Sequence, residues 1–206
     1  LQEALKNISS DIAYIPNAIE ISDSLYRQRS SLSPRLIWVR AFHHIYNPAL
    51  AIRVLNLVIK EFPDAFLTMV GPDKGDGSLS QVQALVEHLG LSDHVKIIQG
   101  VSNEAIPGLL DTSDIFLNTT NYDTAPRSLL EAMGNGLCVV STNVGGLPWL
   151  ILDRIDGLLV PPQDEIAMAA AVIFLLKTPE LAAHISLNAR HKAEHHDWAE
   201  ILPQWG

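Results

Sequence analysis

The chain has 206 residues, of which 48% are hydrophobic and 18% are charged. A chain of this length buries roughly 70% of the surface that its unfolded form exposes, so it should fold without disulfide staples. Its net charge of −9 excludes the basic surface that nucleic acids select, and no apolar run reaches the length of about 18 residues that marks a membrane-spanning helix.

Cys138 is the only cysteine, so no internal disulfide can form. It lies in an apolar segment, where a buried structural thiol is expected. A reducing, cytoplasmic setting fits this composition, and no signal-peptide pattern is found. The chain opens at Leu1 without an initiator methionine, so we expect a piece of a longer protein, although a trimmed tag would look the same.

The chain alternates short apolar runs with segments of helical period from Arg35 onward. Residues 1–33 do not follow this rhythm, and we interpret them as a connector from a missing N-terminal domain, with one candidate strand at Asp11 to Ile15. The later rhythm predicts six strand-helix units. The expected strands are Leu36 to Arg40, Phe66 to Val70, Val95 to Ile98, Asp114 to Asn118, Leu137 to Ser141 and Gly157 to Val160.

Five helices are predicted between or after these strands from their apolar stripes and end signals. Alternation of this kind predicts an α/β fold over residues 34–206, a doubly wound Rossmann-like domain with a mainly parallel six-stranded sheet and C-terminal helices. The expected helices run from Pro48 to near Pro63, from about Ser80 to Gly90, from near Pro126 to Gly134 or Gly136, from Glu165 to Lys177 and from Pro179 to His195.

The most informative segment is the stretch from Asp123 to Pro148. It places Asp123 and Glu131 at the entry and in the body of a helix, ahead of a buried strand and a Gly-Gly turn. Ligands of open parallel sheets bind outside the carboxyl ends of the strands, where this loop lies. The alternative is structural: Asp123 caps the helix and Glu131 pairs with Arg127. The apolar neighbours of Glu131 count against that alternative.

Four motifs together resemble one known family. They read Y-I-P-N-A-I at Tyr14 to Ile19, W-V-R at Trp38 to Arg40, V-G-P at Val70 to Pro72, and L-L-E-A-M-G-N-G-L-C-V-V-S-T-N-V-G-G-L-P at Leu129 to Pro148. The chain resembles the C-terminal, donor-binding domain of retaining group 1 glycosyltransferases (family 4) of the GT-B fold. The similarity covers residues 13–198.

The resemblance implies roles for three charged side chains as catalytic residues. Asp123 would contact the donor sugar, Glu131 would hold the ribose hydroxyls, and Arg40 would face the diphosphate. A carboxylate can accept two hydrogen bonds from a diol, a guanidinium suits phosphate oxygens, and a helix N-terminus favours anions. The donor-binding residues implied are Arg40, Gly71, Gly100, Val101, Asp123, Thr124, Ala125, Pro126, Ser128, Leu129 and Glu131, with Gly100 and Val101 beside the nucleobase and Ser128 and Leu129 as amide donors.

The sequence departs from the family pattern at three places. The usual Lys-Gly after the arginine is replaced by His43-His44-Ile45-Tyr46-Asn47, so the second cation is absent. Either a histidine or the missing domain would supply that charge, or both histidines have only a surface role. The first acidic residue is Asp123 instead of glutamate, and Thr124-Ala125-Pro126 replaces Gly-Phe-Gly.

The expected activity is hexosyl transfer with retention and without metal or cofactor, from a UDP-, GDP- or ADP-linked sugar. The acceptor would be held by the missing N-terminal domain, so this piece alone should be inactive. The base, the sugar, the acceptor and a peripheral membrane location of the parent stay open. Two alternatives remain: a sugar-nucleotide epimerase or hydrolase of the same fold, and a non-catalytic binding module.

Overall fold

The computed structural model describes residues 15–205, and a six-stranded sheet forms its centre. All six predicted strands are present, and each end lies within one residue of its predicted position. The agreement arises because a strand buried on both faces is an unbroken apolar run in the sequence. The strands are β1 (Arg35–Val39), β2 (Phe66–Val70), β3 (Val95–Ile98), β4 (Ile115–Asn118), β5 (Cys138–Thr142) and β6 (Leu158–Val160).

The strands lie in the order β3-β2-β1-β4-β5-β6, and all neighbours run parallel. The order reverses between β1 and β4, and in open sheets such a reversal is where ligands bind. These two strands pair only through Leu36↔Ile115 and Ile37↔Phe116, although each continues for two further residues. Their carboxyl ends are therefore not joined by the ladder.

Eight α-helices accompany the sheet within residues 15–205. The five predicted helices are confirmed, and the first of them ends at Val58, five residues before Pro63. The three short helices α3, α5 and α8 were not predicted, because four to six residues make too few turns to show a period. The helices are α1 (Pro48–Val58), α2 (Ser78–His88), α3 (Ile106–Asp111), α4 (Arg127–Gly134), α5 (Leu147–Leu150), α6 (Glu165–Lys177), α7 (Pro179–Glu194) and α8 (Trp198–Ile201).

The sheet has a hydrophobic core on each face. Alternate side chains of a strand point to opposite faces, so Leu36 and Trp38 of β1 join the core that contains α1, α2 and α6. Ile37 and Val39 join the other core, which contains α4. Cys138 of β5 is fully buried, as predicted, and burial raises the pKa of its thiol to about 12. Two covered faces fix the sheet rigidly beneath the loops at its carboxyl edge.

The segment before β1 packs against the domain through a buried arginine. Arg29 has no solvent exposure, and its Nε lies 3.4 Å from Asp114 Oδ1. Its other guanidinium nitrogens donate to the carbonyl oxygens of Arg27, Ser113 and Asn135. The proposed division of the chain at residue 33 stays a prediction. The predicted strand at residues 11–15 lies outside the described part except for its last residue, which is not in a strand.

The segment before β1 also contacts the C-terminal segment. Ile19 N–H donates to His196 O at 2.8 Å, and Trp198 N–H donates to Ile19 O at 3.1 Å, which places Ile19 beside Asp197 as a parallel bridge. In residues 15–205 no single helix is long and apolar enough to span a membrane. Helices α6 and α7 reach that length and hydropathy only as a pair, with a bend of 103° between them.

Candidate functional site

An ion pair lies at the reversal of strand order. Arg40 follows β1, Asp123 lies in the loop between β4 and α4, and Arg40 Nη2 donates to Asp123 Oδ2. The two side chains are 18% and 14% exposed. The Tyr46 ring lies 4.8 Å from the Arg40 guanidinium. Arg40 Nε is buried and has no partner among the described residues, so this guanidinium keeps an unused donor in the site.

Three glycines allow the surrounding loops to approach closely. A Cβ on Gly71, which follows β2, would lie 1.8 Å from Arg40 O. A Cβ on Gly145 or Gly146 would lie 2.0 Å from the carbonyl oxygen of Asp123 or Thr124, respectively. Gly146 N–H also donates to Asp123 O at 2.9 Å. Any side chain at these positions would push the loops apart, so the glycines shape the site through the backbone.

The loop into α4 differs in detail from the prediction. Pro126 is the extended residue before the helix, with φ −67° and ψ 123°, and Arg127 is the first helical residue. The N–H of Leu129 donates to Pro126 O, so one of the two predicted amide donors is already used. Ser128 Oγ is buried without a partner among residues 15–205. The segment before β1 holds this loop through Asn17, whose side chain donates a hydrogen bond to Ala125 O at 2.7 Å.

The second predicted carboxylate has a different partner. Glu131 Oε1 accepts from Arg127 Nε at 2.8 Å, which is the i,i+4 pair given as the structural alternative. Glu131 is 26% exposed. Burial raises the pKa of Glu131, the neighbouring Arg127 cation partly offsets this, and Asp23 adds a smaller upward effect. The structure thus brings Arg40 and Asp123 into contact, and in the described residues no hydrogen bond joins Glu131 to them.

The remaining candidates lie along the same edge of the sheet. Gly100 and Val101 follow β3, the outermost strand, and Gly100 has a φ of +67°. Thr124 N–H donates to Asp123 Oδ1 at 2.8 Å, so this amide is engaged by its neighbour. A cavity of about 390 Å³ between β1, β2, β3 and α3 contains none of the predicted site residues.

Sequence reasoning missed two residues near the site. Tyr46 stacks on Arg40, and Asp76 hydrogen-bonds His44 from the loop after β2. Neither belongs to a periodic pattern. The Tyr46 contact depends on how the loop after β1 folds back on itself, and the Asp76 contact depends on how that loop meets the loop after β2. The sequence signals that pointed to this region were the replacement of the usual Lys-Gly by two histidines and the V-G-P motif at Val70 to Pro72.

The fold and the site together define a class of protein: a Rossmann-like α/β domain with an ion pair at the order reversal of a parallel sheet, where such sheets bind ligands. Comparison with known proteins makes this specific. The family model described as glycosyl transferases group 1 matches residues 28–192. The chain belongs to this family and is a glycosyltransferase domain of the GT-B fold.

Among its relatives is the GDP-mannose-dependent alpha-(1-6)-phosphatidylinositol monomannoside mannosyltransferase of Mycolicibacterium smegmatis. It is 30% identical over 161 residues, which cover 75% of this chain and 40% of that enzyme. The spore coat protein SA of Bacillus subtilis is 27% identical over 164 residues, covering 77% of this chain and 44% of that protein. The chain thus spans less than half the length of these two relatives.

Solved structures share the fold. Anabaena HepE in complex with UDP superimposes with a TM-score of 0.86 at 19% identity, over 99% of this chain and 59% of HepE. The C-terminal domain of the group 1 family protein LpcC from Francisella tularensis superimposes with a TM-score of 0.73 at 19% identity, over 85% of this chain and 96% of that domain.

Proposed function

We propose that this domain binds a nucleoside-diphosphate sugar at the reversal of strand order, with Arg40 against the diphosphate and Glu131 against the ribose. The observation that carries the proposal is the Arg40–Asp123 pair at the carboxyl edge of the central strands. It places a cation and a carboxylate where such sheets bind ligands. The neighbouring structures in complex with UDP and UDP-glucose support this choice of ligand.

Two unpartnered polar atoms support the same location. Arg40 Nε and Ser128 Oγ are buried without hydrogen bonds in the described residues. A buried polar atom without a partner costs free energy, about 1–3 kcal/mol. A diphosphate seated between Arg40 and the N-terminus of α4 offers acceptor oxygens to both, and the helix terminus adds favourable charge.

Ribose binding by Glu131 requires only a weak contact to change. The Arg127–Glu131 pair is an i,i+4 pair whose cation is 55% exposed, and pairs of this kind contribute about 0.2–0.5 kcal/mol. A ribose diol that donates two hydrogen bonds to the carboxylate can therefore share or replace Arg127. In this proposal Asp123, held by Arg40, accepts hydrogen bonds from hydroxyls of the donor sugar.

The complete enzyme transfers the sugar with retention to an acceptor held outside this chain, by an N-terminal domain. The bond from the anomeric carbon to the diphosphate oxygen breaks, and the acceptor oxygen bonds the same face of the sugar. The acceptor proton passes to an oxygen of the departing diphosphate. Arg40 and the α4 terminus offset the charge that develops on this leaving group, so no metal needs to bridge the phosphates.

Calorimetry with UDP, GDP and ADP tests the assignment of the ribose. We expect one of the three to bind with the highest affinity, and Glu131→Ala to lose roughly tenfold or more in affinity. Glu87→Ala, an exposed glutamate on α2, is the matched control and should bind as the wild type does. Equal affinity of Glu131→Ala and wild type for all three nucleotides would refute the assignment. No binding of any nucleotide would instead favour a non-catalytic module.

Retention is tested on the full-length enzyme with donor and acceptor. The anomeric configuration of the product, measured by NMR as it forms, should equal that of the donor sugar. An inverted product contradicts the proposed stereochemistry. Conversion of the donor sugar without acceptor would favour the epimerase or hydrolase alternative.

A further inference from the structure

Two histidines and an aspartate converge beside the proposed donor site. Their potential ligand atoms all lie within 4.8 Å of one another. His44 Nδ1 lies 3.0 Å and His43 Nε2 lies 3.9 Å from Asp76 Oδ2. The two imidazole rings are adjacent, with centroids 4.2 Å apart. The histidines come from the loop after β1 and the aspartate from the loop after β2, so the cluster joins two loops.

The protein scaffold fixes these loops without help from any ligand. Phe42 N–H donates to Pro72 O at 2.8 Å, and Lys74 N–H donates to Phe42 O at 3.2 Å. Asp76 accepts from the backbone N–H of His44 at 2.8 Å and, through its other oxygen, from that of Ser78 at 3.0 Å. Two backbone donors therefore orient the carboxylate, and side chains that bind metals are usually oriented by hydrogen bonds of this kind.

The charge of this cluster depends on what it holds. Without an ion, the cluster consists of one carboxylate that accepts hydrogen bonds and two imidazoles beside it. A divalent cation held by two neutral imidazoles and one carboxylate leaves one net positive charge.

We propose that His43 Nε2, His44 Nδ1 and Asp76 Oδ2 bind a divalent transition-metal ion of the zinc type. Two imidazoles and a carboxylate are a common donor set for zinc, and the exposed position leaves a fourth site for water. The second part of the inference rests on the proposed function: the bound ion supplies positive charge beside Arg40, where the family pattern has its second cation. It does not bridge the phosphates, and donor binding proceeds without it.

The link from the cluster to the site runs through one aromatic ring. Tyr46 lies 6.2 Å from the His43 ring and 4.8 Å from the Arg40 guanidinium. Tyr46 therefore lies near both Arg40 and the proposed ion site, in the loop that follows β1. An added charge at this distance acts on the diphosphate through space and is screened by salt.

Ligation also changes one weak hydrogen bond that can be monitored. His43 Nδ1 accepts from Ile45 N–H at 3.3 Å. When Nε2 binds a metal, the remaining ring proton resides on Nδ1, and this contact opens. The Ile45 amide signal in an NMR spectrum should therefore shift on metal binding.

Titration of the chelator-stripped chain with Zn²⁺, in competition with a chromophoric chelator, tests the site. We expect one equivalent to bind, and His44→Ala and Asp76→Asn to weaken binding about tenfold or more. Asp76→Asn keeps an oxygen for the backbone N–H groups, so the loop should remain folded. His184→Ala, an exposed histidine on α7, is the control and should leave affinity unchanged. No Zn²⁺ binding, or equal binding by the double variant His43→Ala/His44→Ala, overturns the proposal.

Calorimetry with UDP separates this inference from the proposed function. At low salt, Zn²⁺ should raise UDP affinity about two- to fivefold in the wild type and not in Asp76→Asn. Zn²⁺ also binds UDP in solution, and Asp76→Asn measures the contribution of that binding to the change in affinity. UDP binding without any Zn²⁺ site refutes the metal inference alone. A Zn²⁺ site without any nucleotide binding refutes the proposed function and, with it, the role of the ion beside Arg40.

Discussion

The guanidinium of Arg40 binds a carboxylate and, in the proposed function, a diphosphate as well. It already pairs with Asp123 and stacks on Tyr46, so its position is set before any ligand arrives. Such a group loses little conformational freedom on binding, which favours affinity. Its Nε–H has no hydrogen-bond partner in the described residues, and an acceptor atom of a ligand would supply one.

Substitution of Arg40 tests this role. Arg40→Ala should weaken UDP binding roughly 10- to 100-fold, because a hydrogen bond to a charged group contributes about 1.5–3 kcal/mol. Arg40→Lys should recover only part of the loss, since an ammonium lacks the fork that matches two phosphate oxygens. Uridine, which lacks phosphates, should bind all three proteins equally in calorimetry. A parallel loss of uridine affinity would show that the loop had collapsed instead.

The raised pKa of Glu131 makes a prediction about pH. Only the ionised carboxylate accepts two bonds from a diol, and burial favours its protonated form, with Arg127 partly opposing this. UDP affinity should therefore fall as the pH drops through the raised pKa of Glu131, starting at a higher pH than for an exposed glutamate. Calorimetry between about pH 8 and pH 4.5 should show a larger fall in UDP affinity for wild type than for Glu131→Gln. The variant is the control, because its affinity changes only with the titration of UDP and of other groups.

The stability of the unliganded chain should show the opposite trend. Because the folded-state pKa is raised, the stabilisation from Glu131 is present at low pH and is lost as the pH rises through that value. The unfolding free energy of wild type minus that of Glu131→Gln should decrease with rising pH in urea titrations. A constant difference would contradict the burial of this carboxyl group.

At the residue scale, contacts within one helix could be predicted from the sequence, and contacts between distant loops could not. Arg40 and Asp123 were both predicted for the site, but their direct contact depends on two loops that are 83 residues apart. The Arg127–Glu131 contact was predicted as the alternative, because both residues lie on one helix and local spacing determines it. Long-range pairing is invisible to local patterns, which is also why Asp76, 32 residues from His44, was missed.

The strands and long helices were predictable because each displays a period or an apolar run of its own. The turn at Gly145-Gly146 depends on a neighbouring loop. Gly145 has a φ of +56°, and both residues pack against the backbone of Asp123 and Thr124. The sequence indicated a Gly-Gly turn after a buried strand, and the structure identifies the loop that this turn supports.

Gly146→Ala is the sharpest test of that support. Its Cβ would meet Thr124 O at 2.0 Å, so the loop must shift. Overpacking of this kind costs about 1–3 kcal/mol in stability, and UDP affinity should fall about tenfold. Gly108→Ala on α3, where a Cβ meets nothing within 4 Å, is the control and should be neutral or stabilising by up to about 1 kcal/mol. Unchanged UDP affinity in Gly146→Ala would show that the turn does not shape the site.

At the scale of the whole molecule, Arg29 fastens the segment before β1 to the amino-terminal side of β4. The sequence offered no sign of this, since a lone arginine in a polar segment is expected to be exposed. Its partners are Asp114 and three backbone carbonyls drawn from separate parts of the chain. Only the assembled fold can therefore identify it as buried.

Arg29→Ala should destabilise the chain by about 3–5 kcal/mol, because Asp114 loses a buried partner and the carbonyl oxygens lose a donor. Arg27 also contacts Asp114, at 2.9 Å, but is 51% exposed. Arg27→Ala should accordingly cost less than about 1 kcal/mol. Urea unfolding of the two variants gives the comparison, and similar losses in both would mean that Arg29 is solvated in solution.

The contact of Ile19 with His196 and Trp198 has a practical meaning. The chain passes this point twice, so the two ends of the segment 19–198 are adjacent, and Asn17 and Ile201 just outside it also pack against the domain. Protein units of this shape tolerate transplantation, because a host chain need not stretch to reach both junctions. On the proposed function, exchange of residues 15–205 between related enzymes should give hybrids that keep one acceptor and use a different sugar.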